Sequence, residues 1–203
     1  GAGGATEEIG AGHFHYVPAD TEHWLANESD DEPIIVVGWY LGAGNVAATG
    51  YVYMGDVTEA DLKGPHNGYD VGSLMNVADV APSDMSGIEG WSGTEFRACL
   101  GAAQGIGHST WQPVLTDGQA LKTHRHNNAD EFYLVVSGTG RAGVGDEVAD
   151  LSVGSCVHVP AGTPHWFASI GADPLVTIGL HEGANSLDAG GFEALGDIPV
   201  AAE

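Results

Sequence analysis

Between Gly118 and Glu131 the chain reads Gly-Gln-Ala-Leu-Lys-Thr-His-Arg-His-Asn-Asn-Ala-Asp-Glu, and a further histidine, His165, follows the run Pro160-Ala161-Gly162-Thr163-Pro164. His124 and His126 are two residues apart, so on a strand both project from one face. Asn127-Asn128 punctuates the chain as turn residues do, and Glu131 opens the next apolar run, from which it can aim back at the same point. The Pro-Gly turn delivers His165 to the head of a third strand. Three imidazoles and one carboxylate make a mixed nitrogen–oxygen donor set for a divalent transition metal, with positions left open for water, oxygen or substrate. By alternation Tyr133 shares a face with Glu131 and is a candidate to touch substrate, with core packing as the equal alternative. Cys156 and His158 share strand parity and are expected to line the same interior; His158 is the second catalytic candidate, and Cys156 reads as packing. No nucleophile stands beside a positioned base, which disfavours covalent acyl transfer.

The elements that must position these side chains read as β throughout. Glu131-Phe132-Tyr133-Leu134-Val135-Val136, Ser155 to Val159, Leu175 to Ile178 and Ile34-Ile35-Val36-Val37 are short β-branched or aromatic runs. Gly, Pro, Asn and Asp interrupt them at short intervals, as in a sandwich or barrel. Residues 58–92, rich in Gly-Pro, Asn-Gly and Ala-Pro steps, read as a linker with one helical turn near residues 59–63.

The chain also repeats itself. Gly12-His13-Phe14-His15-Tyr16-Val17-Pro18-Ala19-Asp20-Thr21-Glu22-His23-Trp24 aligns with Gly154-Ser155-Cys156-Val157-His158-Val159-Pro160-Ala161-Gly162-Thr163-Pro164-His165-Trp166. Glu32 to Gly38 aligns with Asp173 to Gly179, and Gly50 to Asp56 with Gly191 to Asp197. By the same offset Gly1 falls opposite Gly143, so the first copy lacks the opening strands of the second. The expected organisation is the second half of one module at 1–57, the linker at 58–92 and a complete module at 93–203. The gap is expected to be filled by the middle segment or by another chain, since unpaired sheet edges are normally covered. His23 has no companions of the His124 kind and reads as a structural barrel residue; His13 and His15 align with Ser155 and Val157 and read as structural or surface residues.

These motifs resemble those of the cupin superfamily. Its first motif, Gly-x5-His-x-His-x3–4-Glu-x6-Gly, is met at every position by Gly118, His124, His126, Glu131 and Gly138. Its second, Gly-x5-Pro-x-Gly-x2-His-x3-Asn, is met by Gly154, Pro160, Gly162 and His165, with Ser169 in place of the Asn. In the first copy Gly12, Pro18, His23 and Asn27 match and Asp20 replaces the second Gly. The resemblance implies an all-β double-stranded β-helix, or jelly-roll barrel, in two modules, the first lacking its opening strands. It implies one divalent metal held by His124, His126, Glu131 and His165, with Fe or Mn favoured and Zn, Ni or Co as alternatives. It also implies a metalloenzyme acting on a small oxygen-rich metabolite, a dioxygenase ahead of an isomerase, epimerase or decarboxylase. A non-catalytic ligand-binding or storage protein is the alternative, and a homodimer the expected assembly.

Charge bounds the partners. Asp and Glu number 28 against 5 Lys and Arg, a net charge of −23, spread along the chain. This opposes binding to nucleic acid or to anionic membranes. It resembles the surface of a protein adapted to high salt, where a Debye length of about 3 Å at 1 M screens self-repulsion. No apolar run approaches the roughly 20 residues of a membrane span. Gly1-Ala2-Gly3-Gly4 has no signal-peptide character, and two cysteines build no disulfide framework, so a soluble cytoplasmic protein is expected.

Overall fold

The computed structural model describes residues 1–64 and 74–199; the part of the expected linker at 65–73 lies outside them. Contacts gather the chain into two units, one of Gly1–Ala11 with His15–Leu74, the other of Gly12–Phe14 with Met75–Glu203. The elements in chain order are β1 (His13–His15), α1 (Glu59–Leu62), β2 (Leu74–Asn76), β3 (Glu95–Ala98), β4 (Ser109–Leu115), β5 (Ala120–His126), β6 (Asp130–Ser137), β7 (Gly140–Val144), β8 (Glu147–Leu151), β9 (Cys156–Val159), β10 (His165–Ser169), β11 (Leu175–Glu182) and β12 (Phe192–Gly196). β1 and β2 pair as a ribbon; the other strands form two five-stranded sheets, ordered β12-β5-β10-β7-β8 and β3-β4-β11-β6-β9. Consecutive strands such as β5 and β6, or β10 and β11, lie in different sheets, so the chain winds back and forth between them. This is the double-stranded β-helix, a jelly roll.

Alternation explains how each strand faces inward. β4 buries Ser109, Trp111, Pro113 and Leu115 and leaves the residues between partly exposed. β6 buries Glu131, Tyr133 and Val135 in the same manner. Leu115, Leu121, Tyr133, Val135, Ala142, Leu151, Val159, Phe167 and Leu175 fill the core. Each fully buried large apolar side chain contributes about 1.5–3 kcal/mol. Gly179 marks a close approach, because a Cβ there would lie 2.2 Å from the Trp111 indole.

One irregularity matters for the site. β10 pairs with β5 so that His165 faces His124 and Phe167 faces Leu121, with a register shift between them. Leu121 and His124 are therefore both buried although three residues apart. This bulge at Lys122-Thr123 turns His124 inward, as bulges near functional sites commonly do.

In the first unit α1 forms where the helical turn is expected, its start closed by a capping box between Thr58 and Asp61. Ile34, Ile35, Val36 and Val37, by contrast, form no strand and are exposed, Ile35 by 86%. Their aligned residues lie in β11, which is flanked by β4 and β6. No counterpart of either neighbour occurs among the described residues of the first unit, and β-propensity without a ladder partner does not make a strand.

Where the aligned residues are ordered, local geometry coincides. Ala2 bridges His23, and Val144 pairs with His165. Gly3 N–H donates to Glu22 O at 2.9 Å and Gly145 N–H to Pro164 O at 2.8 Å. Gly1 and Gly143 each lie beneath an indole, of Trp24 and Trp166, so closely that an added Cβ would fall within 2.4 and 2.2 Å of it. Asp20 adopts φ 61° where Gly162 has φ 76°, a left-handed turn that Asp tolerates better than most residues.

Candidate metal centre

His124 and His126 reach the interior from β5, His165 from β10 and Glu131 from the facing sheet on β6. The loop that presents His165 is tied to both neighbours: Gly162 N–H donates to His126 O at 2.7 Å, and Ala161 N–H donates to Asp130 Oδ1 at 2.9 Å. One donor atom from each of His124, His126, Glu131 and His165 lies within 4.8 Å of all the others, and all four residues are buried.

The hydrogen bonds around the cluster set its tautomers. His124 Nδ1 is 2.7 Å from Lys122 O, and His165 Nδ1 is 2.9 Å from Thr163 O. A carbonyl only accepts, so Nδ1 carries the proton in both and Nε2 presents its lone pair to the interior. Those Nε2 atoms, Nδ1 of His126 and Oε2 of Glu131 are buried without a hydrogen-bond partner. His165 Nε2 approaches Glu131 Oε2 to 2.6 Å without aligning as a hydrogen bond, as donors converging on a shared ion do. His126 Nε2 stands 4.0 Å from the same oxygen. Leaving a buried polar atom unpaired costs about 1–3 kcal/mol, which a bound cation offsets. The donor set fits a divalent metal ion.

Electrostatics prepare the donors. Burial, reinforced by His165, drives the His124 imidazole down to about 3, and burial likewise lowers His126 against the pull of Glu131. Burial works to raise Glu131, but His165, with His126 and His124, outweighs it and holds the carboxyl well below the usual carboxylate range. Burial works to lower His165, and the Glu131 carboxylate reverses this. At neutral pH His124 and His126 are neutral and Glu131 is ionised, the forms in which they bind metal. A divalent ion among three neutral imidazoles and one carboxylate keeps a net charge of +1.

Tyr133 is buried on the face of Glu131, its ring centroid 5.4 Å from that of Phe167, and its hydroxyl has no partner. Burial pushes that hydroxyl up, and Glu131 adds to the effect. For His158 and Cys156 the structure corrects the expected face: both are exposed. β9 pairs with β6 so that His158 opposes Phe132 and Cys156 opposes Leu134, the outward residues of β6. His158 stacks on Phe132 at 4.5 Å and its Nε2 is 3.0 Å from Asp130 Oδ2, so it braces the surface beside the His165 loop. His23 is exposed in the first unit and bonds Thr21 O through Nδ1 at 2.8 Å, as His165 does with Thr163.

Two aromatic neighbours were missed in the sequence. Phe192 on β12 stacks on His124 with a centroid distance of 5.1 Å. His181 on β11 is fully buried, its ring 4.2 Å from that of His126. Burial takes His181 down to about 4, with Glu131 opposing and His126 and His165 adding. Its inward parity with Leu175, Thr177 and Gly179 was the available signal.

The fold is a jelly roll that gathers three histidines and a glutamate at its interior, a group that could hold a metal ion. Residues 114–180 match the cupin domain family. An uncharacterized protein of Methanocaldococcus jannaschii is 26% identical over 72 residues, 36% of this chain and 58% of that protein. The chain thus spans little more than half the length of this curated relative. A cupin-like protein of Thermotoga maritima superposes with a TM-score of 0.50 at 19% identity, covering 61% of this chain and 90% of the other. Oxalate decarboxylase of Lactobacillus farciminis, solved as a formate complex, superposes with a TM-score of 0.50 at 15% identity, over 61% of this chain and 36% of that one. The family match is confined to residues 114–180, and at 15–19% identity the likeness to the solved structures is one of fold. No helix among the described residues is long and apolar enough to cross a membrane.

Proposed function

We propose that the protein is a metal-dependent cupin enzyme acting on a small oxygen-rich metabolite, with oxygenation as the leading reaction class and isomerisation, epimerisation or decarboxylation behind it. One observation carries the reading: four buried donor atoms of metal-binding type, mutually within 4.8 Å, most of them without any other partner. Bound there, a divalent ion, with Fe or Mn favoured, supplies Lewis acidity and open positions for an oxygen ligand. His124, His126, Glu131 and His165 hold it, and the carbonyls of Lys122 and Thr163 fix the orientation of two of the imidazoles. Tyr133 supplies an unpaired buried hydroxyl on the same inner face, and the surrounding apolar core excludes water. The local charge of +1 draws a carboxylate, enediol or vicinal diol despite the acidic surface.

Metal analysis tests this directly. About one equivalent of Fe, Mn, Co, Ni or Zn per chain after loading is the expected result, and less than about half an equivalent of every one refutes it. Oxygen consumption against diols, keto acids and catechols then separates oxygenation from the other classes.

The first unit is read as the second half of another such module, on the strength of the coincident turn and bridge geometry at Gly1, Asp20 and His23. Its exposed Ile35, Tyr51, Val52, Tyr53 and Met54 are the support for a homodimer. The net charge of −23 supports a cytoplasmic protein of a salt-accumulating cell.

A further inference from the structure

His181 is the buried group that neither packing nor the metal ligands explain. Its side chain is 0% exposed, and both ring nitrogens lack a hydrogen-bond partner. A neutral imidazole has one N–H to donate and one lone pair to accept, and buried groups of this kind are nearly always satisfied. The contact with Trp111 is a tilted one, the rings at 59° with centroids 4.2 Å apart, and supplies neither nitrogen with a hydrogen-bond partner. His181 also stands outside the set whose donor atoms lie within 4.8 Å of one another.

Its place in the sheet says what it meets. On β11 His181 pairs with Glu131 of β6 on one side and with Ser109 of β4 on the other. Three side chains of one row thus share the inner face with neighbouring Cβ atoms about 4.5–5.5 Å apart. One member is a proposed metal ligand, and the Ser109 hydroxyl, like the His181 nitrogens, is buried and unpaired. Behind the ring the backbone closes in, for a Cβ at Gly190 would lie 2.8 Å from His181 Cε1 and 2.9 Å from Nδ1.

We propose that His181 is a ligand-binding residue of this site, its imidazole N–H donating to an oxyanion or similar small anion held beside the four-residue cluster, with the Ser109 hydroxyl next to it. The proposal rests on the metal-centre reading. It gives the row its chemistry: Glu131 faces the ion, while His181 and Ser109 face the ion's ligand.

The test uses cobalt(II)-loaded full-length protein, titrated with sodium azide and with sodium acetate and followed by visible cobalt absorption, bound cobalt being assayed separately. Wild type, His181→Phe and His181→Gln are each expected to retain one cobalt per chain. Anion affinity falls about tenfold in H181F, the loss of one hydrogen bond to a charged group, and returns to within about threefold of wild type in H181Q, whose amide keeps an N–H. Metal-free H181F melts at or above the wild-type temperature, because Phe leaves no buried nitrogen unpaired. Unchanged anion affinity in H181F overturns the proposal, and so does a loss of affinity in H181Q as large as that in H181F. Loss of cobalt from H181F overturns it differently, by making His181 a metal ligand. A wild type that takes up no cobalt at all overturns the metal-centre reading, and this proposal with it.

Discussion

Replacing Glu131 by Gln tests the cluster with little change of shape. The side chain is 3% exposed and faces three imidazoles, and the amide fills the same volume. What changes is charge: the cluster loses its one anionic donor, and a bound divalent ion would keep +2 instead of +1. Protein sites that hold a metal through four donors bind with about 10–16 kcal/mol, so an average donor contributes about 2.5–4 kcal/mol. The only charged donor belongs at the upper end. About 4 kcal/mol corresponds to nearly three orders of magnitude in Kd. In the metal-free protein the variant also loses the attraction between the carboxylate and the imidazoles, which outweighs its burial penalty, so the fold of the variant is verified alongside the metal affinity. The assay is competition between protein and a chromophoric chelator for Mn²⁺ and Zn²⁺, with circular dichroism to verify the barrel. A Kd within about tenfold of wild type for both ions, in a folded variant, would refute the assignment of Glu131 as a ligand.

Three further outcomes are expected. Thiol labelling of the native protein modifies Cys156, which is exposed, and spares Cys99, which is buried and whose thiol burial pushes up to about 12; two equivalents modified without denaturant contradict this. The metal-free protein loses stability in acid: His181 and His124 fall from 6.5 to about 4 and about 3 on folding, so the unfolded chain takes up protons first as the pH drops below 6.5. His165 is shifted the other way and offsets part of this, while His126 adds to it, and urea unfolding that shows equal or greater stability at about pH 5 than at neutral pH contradicts the expectation. Raising KCl from about 0.1 to 2 M should raise the melting temperature by about 4–8 °C, equivalent to about 2 kcal/mol for a chain of this size; each of Lys63, Arg97, Lys122, Arg125 and Arg141 already pairs with an acid, so the remaining acids have only salt to screen them, and a flat salt response removes the basis for the high-salt reading.

Spacing along the chain singled out the four residues that the structure brings together, because two of them share a strand face and the others sit beside recognisable turns. The strands themselves were visible as β-branched and aromatic runs at β6, β9 and β11. What parity left open was which face of a strand turns inward. In β9 the apolar alternation pointed the right way, since Val157 and Val159 take the inner positions, yet the chemistry of Cys156 and His158 drew the opposite reading. His181 escaped notice because nothing near it in sequence names its neighbours; Glu131 and Ser109 reach it only through β-sheet register, across separations of 50 and 72 residues. The bulge that turns His124 inward is likewise a property of pairing with β10 and leaves no mark in composition.

The two copies of the Pro turn separate folding from chemistry. At 18–24 and again at 160–166 the chain makes the same left-handed turn, the same imidazole-to-carbonyl bond two residues back and the same seat for an indole over a glycine. Yet His165 is buried among metal-type donors, whereas His23 is exposed and belongs to no such group among the described residues. The turn therefore keeps its local geometry with or without the other three donors beside its histidine. What makes a donor of its histidine is the arrival of β5 and β6, which supply His124, His126 and Glu131 from the two facing sheets. The candidate metal centre therefore depends on those two strands. The exposed apolar residues at 34–37 mark where, by alignment with β11, the first unit meets no strand like β6 among the described residues.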